Sequence, residues 1–545
     1  MSYKSSMMTM LSISEHGSLG PMGVLGVALA GVSRQHQLHH PSTRKLTTPQ
    51  SLSIFLLRSI YYAFLHPLSK IPGPKLYSFW DLPYLYHALH GNWPHKLKDL
   101  HDRYGPAVRY TPDNISFTTP SAWKTIYGHR HLPGQETFPK DPTAYRPTPS
   151  GHPHIIIASD LDHRRQRRLL SHAFSEKALR AQEDILNHYV TLLITKLTAK
   201  ANANVAVDIV QWFNFTTFDL IGDLAFGQPF NCLDSAAYHP WVSLIFSNIK
   251  LGVFFEVLRR HPFLGCLKTF LLPKHLVQSQ KEHRALSEKT AKKRLEAGGT
   301  ERGDFMSYIL RHNDEKGMSE GEIIENSSLL IIAGSETTAT QLSGTTFWLL
   351  KNRDKYDKLV KEIRGRFGRE DEIDLVAVGG LEYLEAVLEE GFRMCKFFFI
   401  SKLVVVVLME IDPPTPLALP RRVPPKGEYI EGYWIPGNTS VAVPQWASYQ
   451  SSSNFRDPQK FVPERWLGDP RYADDVRGVL QPFSVGPRNC IGRNLAYAEM
   501  RLIMARLLWN FDLELMPESE EWNKQRIYVL WEKGAVNVRL TPVVR

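Results

Sequence analysis

The run Phe483-Ser-Val-Gly-Pro-Arg-Asn-Cys490-Ile-Gly492 constrains this chain more than any other stretch, because it presents one cysteine just before an apolar run of helical spacing, Asn494 to Leu508. Backbone N–H groups and the dipole at a helix N-terminus favour a thiolate over a thiol at Cys490. Gly486 and Gly492 suit a backbone that turns tightly and lets a flat group approach. Arg488 sets a cation near any anionic ligand. A thiolate held this way is a potential metal ligand; the competing reading is a buried free cysteine.

The 545 residues, 43% of them hydrophobic and 12 of them Trp, supply a large core for one big domain or two. Four widely spaced cysteines, Cys232, Cys266, Cys395 and Cys490, form no CxxC pair, so neither a disulfide framework nor a zinc site is indicated. That usage fits a reducing, cytosol-facing catalytic domain. The formal charge of +10 fits an anionic membrane or an acidic protein partner. Nucleic acid is not a predicted partner, since aromatics are not interleaved with the basic runs.

Residues 1–70 read as a membrane-anchor and targeting region. Leu19 to Val32 is apolar, and Leu52 to Leu68 is a second apolar run interrupted by Arg58 and His66; neither is a clean span of roughly 20 residues. The first reads as a short signal-anchor and the second as an interfacial helix with Arg58 snorkelling to the headgroups. His36, His39 and His40 read as a solvated linker. Ile71-Pro-Gly-Pro-Lys75 is a stiff hinge, which sets the boundary near Lys70 and the catalytic domain at 71–545.

Tyr104 to Pro120 has strand-and-turn character, and Gly134 to Pro153 reads as a loop. In Asp162-His-Arg-Arg-Gln-Arg-Arg168, positions 163 and 167 share a helix face. Met318 to Leu350 is the longest helical pattern, opened by Ser319 as an N-cap and about 50 Å long. Its middle, Ala333-Gly-Ser-Glu-Thr-Thr338, places a glycine, an acid and threonines where helix propensity argues against them, which points to function. Glu428 to Trp434 and Thr439 to Val443 read as strands, and Leu530 to Val538 as a closing hairpin with Lys533-Gly534 near substrate.

The pattern Phe-x-x-Gly-x-Arg-x-Cys-x-Gly resembles the haem-binding loop of the cytochrome P450 family, at Phe483, Gly486, Arg488, Cys490 and Gly492. The resemblance implies a mainly α fold with a small β region, and haem b with Cys490 as the axial ligand of its iron. It implies that Phe483, Gly486 and Arg488 hold the cofactor. His163, where the family usually has Trp, and Arg167 would contact a haem propionate, and Arg421 would do so from the other side. Gly334 would give oxygen room, with Glu336 and Thr337 as the acid and alcohol of a proton relay. Glu390 and Arg393 would join Arg465, from Pro463 to Trp466, in a buried charge triad. Substrate contacts would lie between Tyr238 and Leu272.

The activity so implied is a monooxygenase inserting one atom of O2 into a small apolar molecule, such as a fungal terpenoid or polyketide. Electrons would come from NADPH through a membrane-bound cytochrome P450 reductase. The protein would sit on the endoplasmic reticulum membrane with its catalytic domain facing the cytosol. An isomerase or dehydratase on the same haem would need neither reductase nor relay, and the intact Glu336-Thr337 pair argues against it.

One stretch departs from the family pattern. Residues 395–412, Cys-Lys-Phe-Phe-Phe-Ile-Ser-Lys-Leu-Val-Val-Val-Val-Leu-Met-Glu-Ile-Asp, stand where the family passes from Arg-Met through an aromatic to Pro-Pro. So apolar an insertion makes a poor surface loop. Cys395-Lys396 can be encoded with the donor-like GTAAG, and Ile411-Asp412 with an acceptor-like AG. Excision between them is in frame and leaves one tyrosine codon. The segment therefore reads as an unspliced intron, against a genuine β insertion, and a chain carrying it would be an inactive translation product if it disrupts the Glu390–Arg393 neighbourhood.

Overall fold

Helices dominate because the chain supplies long breaker-free runs between capping residues. The computed structural model describes residues 48–130, 136–145, 147–240, 274–298, 303–314, 316–394, 419–522 and 533–544. The principal helices are α1 (Thr48–Ile60), α2 (Trp93–Tyr104), α3 (Asp160–Ala173), α4 (Glu183–Asn202), α5 (Ile209–Phe226), α6 (Lys274–Glu296), α7 (Glu320–Lys351), α8 (Glu382–Met394) and α9 (Arg493–Asn510). The strands are β1 (Ala107–Arg109), β2 (Asn114–Phe117), β3 (Val207–Asp208), β4 (Arg421–Arg422), β5 (Glu428–Ile430), β6 (Tyr433–Ile435), β7 (Ser440–Ala442), β8 (Phe511–Leu515) and β9 (Asn537–Pro542). The mainly helical fold with a small β region is therefore present as expected.

One sheet has the order β1-β2-β7-β4, with β2 and β7 parallel and the other pairs antiparallel. The parallel pair joins the start of the domain to the region before the cysteine loop. β5 and β6 form a hairpin whose turn residues Glu431 and Gly432 both have positive φ, the backbone that a tight two-residue turn requires. β8 pairs with β9 in antiparallel register; the expected hairpin at Leu530 to Val538 lies partly outside the described residues.

α7 runs through the core. Ser319 and Glu322 form the reciprocal capping box at its start, bearing out the expected N-cap. Glu322 also accepts from Arg165 of α3 at 2.6 and 2.9 Å and from Gln166 at 3.0 Å, tying two helices together. Burial pushes the Glu322 pKa up, but the Arg165, Ser319 N–H and Gln166 bonds outweigh it and hold the carboxyl at about 2. The folded value lies below the unfolded one, so this stability is present above about pH 4.5 and is lost as pH falls toward 2. Glu322→Gln should cost about 3 kcal/mol at pH 7, with a difference that shrinks in urea denaturation series taken below pH 4.5.

The Pro-Gly-Pro segment is docked rather than free. Arg109 donates its backbone N–H to Pro72 at 2.8 Å, and a side chain at Gly73 would collide with Arg109 O. Buried Arg109 also donates to Tyr62 O at 2.7 Å, and Leu68 is fully buried in the main core. The boundary placed at Lys70 therefore falls inside a packed contact. Residues 1–47, including the Leu19–Val32 run, the histidine cluster and residue 36–40 linker, lie outside the described residues. Among those described, no helix is long and apolar enough to cross a membrane.

Candidate active site: a cavity between the cysteine loop and α7

The cysteine loop closes on itself before α9 begins. Cys490 N–H donates to Phe483 O at 2.8 Å, and Gly486 takes φ +76° with its α-carbon against Tyr127 O, where a side chain has no space. Gly492 has φ −85° and ordinary room, so its role is not conformational among the described residues. Phe483 packs against Phe392 and Tyr497, at ring distances of 5.3 and 5.2 Å, which fixes the loop on α8 and α9.

Beyond the loop lies a cavity of about 1330 Å³ including its mouth. Cys490, Phe483, Arg488, His163, Arg167, Arg421, Gly334 and Thr337 all line it, so sequence positions far apart meet around one cavity. Cys490 presents surface to this space while lying deep among protein atoms. Burial raises the thiol pKa, and the Gly492 N–H, Arg167 and Arg493 offset that only in part. The thiolate expected at this helix N-terminus would therefore rest on a cation bound at the sulfur as well as on the helix.

Cations gather in an otherwise largely apolar lining. Arg488 donates to Ala158 O at 2.8 Å and Asp160 at 2.7 Å, leaving its buried Nη1 without a partner. Arg421 is buried in β4, stacked at 5.4 Å from the Tyr127 ring. Arg167 spends two N–H groups on Asn489, at 2.6 Å each, and so clamps the residue next to Cys490. His163 is buried, and burial with Arg488, Arg167 and Lys140 nearby pushes its pKa down to about 3, so it is a neutral donor. Lys140, not singled out from the sequence, joins them in the lining; it lies in the stretch Gly134 to Pro153 read as a loop. This set fits a flat, apolar group carrying carboxylates, with a thiolate-accepting metal at its centre: an orphaned guanidinium N–H, further cations and a sulfur on the cavity wall.

On α7 the expected residues separate. Thr337 lines the cavity, its hydroxyl donating to Ala333 O at 2.7 Å. Glu336 is not on the cavity wall: its Oε1 pairs with Lys533 at 2.6 Å, both side chains being almost wholly buried, while Lys533 also donates to Thr340 at 2.9 Å. Lys533 therefore binds α7 rather than the described cavity. Gly334 lines the cavity, and a side chain there would meet the side chain of Ile221 of α5, so the glycine also lets the two helices approach.

Behind the site stands the charge triad. Arg393 donates to both Glu390 oxygens at 2.8 and 2.7 Å, and Arg465 donates to Glu390 at 3.2 Å. All three are fully buried, and Arg465 also bonds Asp475, a fourth member the motif did not include. Trp466 Nε1 and the Val462 N–H complete the acceptor capacity of Glu390. The expected substrate segment 238–272 lies almost entirely outside the described residues.

This geometry agrees with comparison against known proteins. The family model described as Cytochrome P450 matches residues 71–405 and 407–536. The chain belongs to the cytochrome P450 family. It is 45% identical to cytochrome P450 monooxygenase aclL of Aspergillus oryzae, over 91% of this chain and 98% of the relative. It is 44% identical to cytochrome P450 monooxygenase astJ of the same species, over 89% and 94%. It is 40% identical to the averantin hydroxylase of Dothistroma septosporum, over 90% of each. The protein is accordingly a haem-thiolate monooxygenase using haem b, O2 and NADPH-derived electrons.

Proposed function

We propose that this monooxygenase oxygenates an apolar fungal secondary metabolite with a terpenoid or polyketide skeleton. The observation that carries this reading is the aliphatic share of the cavity lining, where Ile155, Ile156, Ile221, Leu329, Leu330 and Ala333 offer a surface suited to an apolar substrate. The relative named averantin hydroxylase supports a hydroxylation as the reaction.

Cys490 holds the haem iron, while Arg488, Arg421 and neutral His163 bind its carboxylates and Arg167 stiffens the loop. Bound haem supplies the activation of O2 that precedes insertion of one oxygen atom. Phe483 and the aliphatic wall exclude water from the sulfur and the substrate. Thr337, on the cavity wall, holds a proton at Oγ1 and exchanges it with the cavity. Thr337→Ala should lower productive turnover by about 10²-fold while NADPH is still consumed. The check is hydrogen peroxide released per NADPH, which should rise.

Electrons reach the site from a membrane-bound NADPH–cytochrome P450 reductase on the endoplasmic reticulum, with the catalytic domain in the cytosol. Support comes from α1 and the turn after it, where Leu57, Phe64 and Leu65 are among a set of exposed apolar side chains suited to a bilayer surface. The test is reconstitution in lipid vesicles with the reductase, NADPH and candidate terpenoids and polyketides. A product heavier by one oxygen atom, formed with NADPH consumption, is the expected result; conversion without NADPH would point to isomerase or dehydratase chemistry instead.

A further inference from the structure

Two rings of the cavity lining, Phe483 and Phe392, back onto a buried phenol. Tyr497 of α9 lies behind them at ring distances of 5.2 and 5.9 Å and does not itself line the cavity. Phe483 belongs to the cysteine loop, so one ring of that loop bridges Tyr497 to the cavity. The Tyr497 hydroxyl donates to Glu389 Oε1 of α8. Burial raises the Glu389 pKa and the Tyr497 bond offsets this only in part, so the carboxylate is a stronger base than an exposed one. Tyr127, beside Arg421, donates instead to the carbonyl of Leu419, which cannot keep a proton. Arg493 and Arg501 stand over the Tyr497 ring at 5.7 and 4.9 Å. Two cations there make removal of an electron alone costly, whereas loss of an electron together with a proton leaves the ring neutral. Arg501 pairs with Glu385 at 2.7 Å, and both side chains are partly exposed, so Tyr497 lies one layer beneath solvent.

We propose that Tyr497 and Glu389 form a one-electron relay that supplies electrons to the haem when hydrogen peroxide meets it without substrate. Tyr497 gives one electron through Phe483 as its O–H bond breaks, and the proton passes to Glu389 Oε1. A neutral tyrosyl radical and a neutral carboxylic acid remain. An ascorbate monoanion at the surface then returns an electron to the ring, and Glu389 returns its proton to the Tyr497 oxygen. Two such rounds supply the two electrons that turn one hydrogen peroxide into two waters. The two ascorbates, each oxidised to its radical anion, release the two protons that the waters take up. The proposal rests on the haem-thiolate monooxygenase reading, because hydrogen peroxide draws on a phenol here only through the haem.

The test mixes the full haem-loaded chain with hydrogen peroxide in the absence of substrate, freezes it within milliseconds and records electron paramagnetic resonance. The wild type should show a tyrosyl radical that narrows when the chain is made with ring-deuterated tyrosine and that ascorbate removes. Tyr497→Phe keeps the ring packing and the thiolate-haem spectrum but should lose most of that signal, and its haem should bleach several-fold faster, with no protection by ascorbate. Glu389→Gln keeps the phenol and removes the base, and should lower the radical yield several-fold. Should Tyr497→Phe fail to take up haem, Glu389→Gln carries the test. A wild type without a tyrosyl signal overturns the proposal, as does a haem-loaded Tyr497→Phe or Glu389→Gln whose signal and bleaching rate match the wild type. Failure of the monooxygenase reading would look different, as a wild type that lacks the thiolate-haem spectrum or that forms the radical yet oxygenates nothing with NADPH and reductase.

Discussion

Glu390→Ala is expected to abolish the haem-loaded protein. Glu390 is fully buried between two guanidinium groups and also accepts the Trp466 indole N–H and the Val462 backbone N–H. Removing it leaves Arg393 and Arg465 as buried cations with their shared anion gone. Breaking a buried pair by removing one partner costs about 3–5 kcal/mol, a large share of the roughly 5–15 kcal/mol that holds a typical domain folded. Arg393 also donates to Pro458 O at 2.6 Å and Lys460 O at 2.7 Å, so its displacement loosens the segment leading to the cysteine loop. The measurement is soluble yield and haem content beside Lys358→Ala, which removes a half-exposed lysine paired with Glu464 and should cost under about 1 kcal/mol.

Replacing residues 395–412 by a single tyrosine is expected to raise the yield of haem-loaded protein several-fold. The residue before the segment, Met394, is fully buried; its carbonyl accepts the Trp348 indole N–H at 2.7 Å, and the adjacent Arg393 belongs to the triad. The inserted sequence thus departs from a core position, and its Val404 to Val407 run has the composition of an aggregation-prone strand. Soluble expression and haem-to-protein ratio of the two versions check this. Equal yields would favour a genuine insertion, as would a peptide spanning Val404 to Val407 recovered from the native organism.

The residues that were legible in the sequence are those whose chemistry fixes their type within one short stretch. Cys490 needs a turn before a helix, and Gly486 alone fits against Tyr127 O, so both announced themselves. α7 was legible because its N-cap and length are local properties. Orientation was not. Glu336 and Thr337 are neighbours in sequence, but one helical step turns them to different surroundings, and the partner that holds Glu336, Lys533, lies on a distant hairpin. Gly334 read as space for a ligand; it lines the cavity and also faces Ile221, a neighbour that only the fold supplies. Lys140 and Asp475 join their clusters only through tertiary packing.

The central claim is that Cys490 binds haem iron as a thiolate, and the reduced carbon monoxide difference spectrum tests it most directly. It would be recorded for the chain as written, for the version with tyrosine in place of 395–412, and for Cys490→Ser in whichever of these takes up haem. The account predicts the strongly red-shifted Soret band of a thiolate-ligated haem in at least the shortened chain, and its loss in Cys490→Ser. A red-shifted band that survives Cys490→Ser, or one that neither parent chain gives, would contradict it.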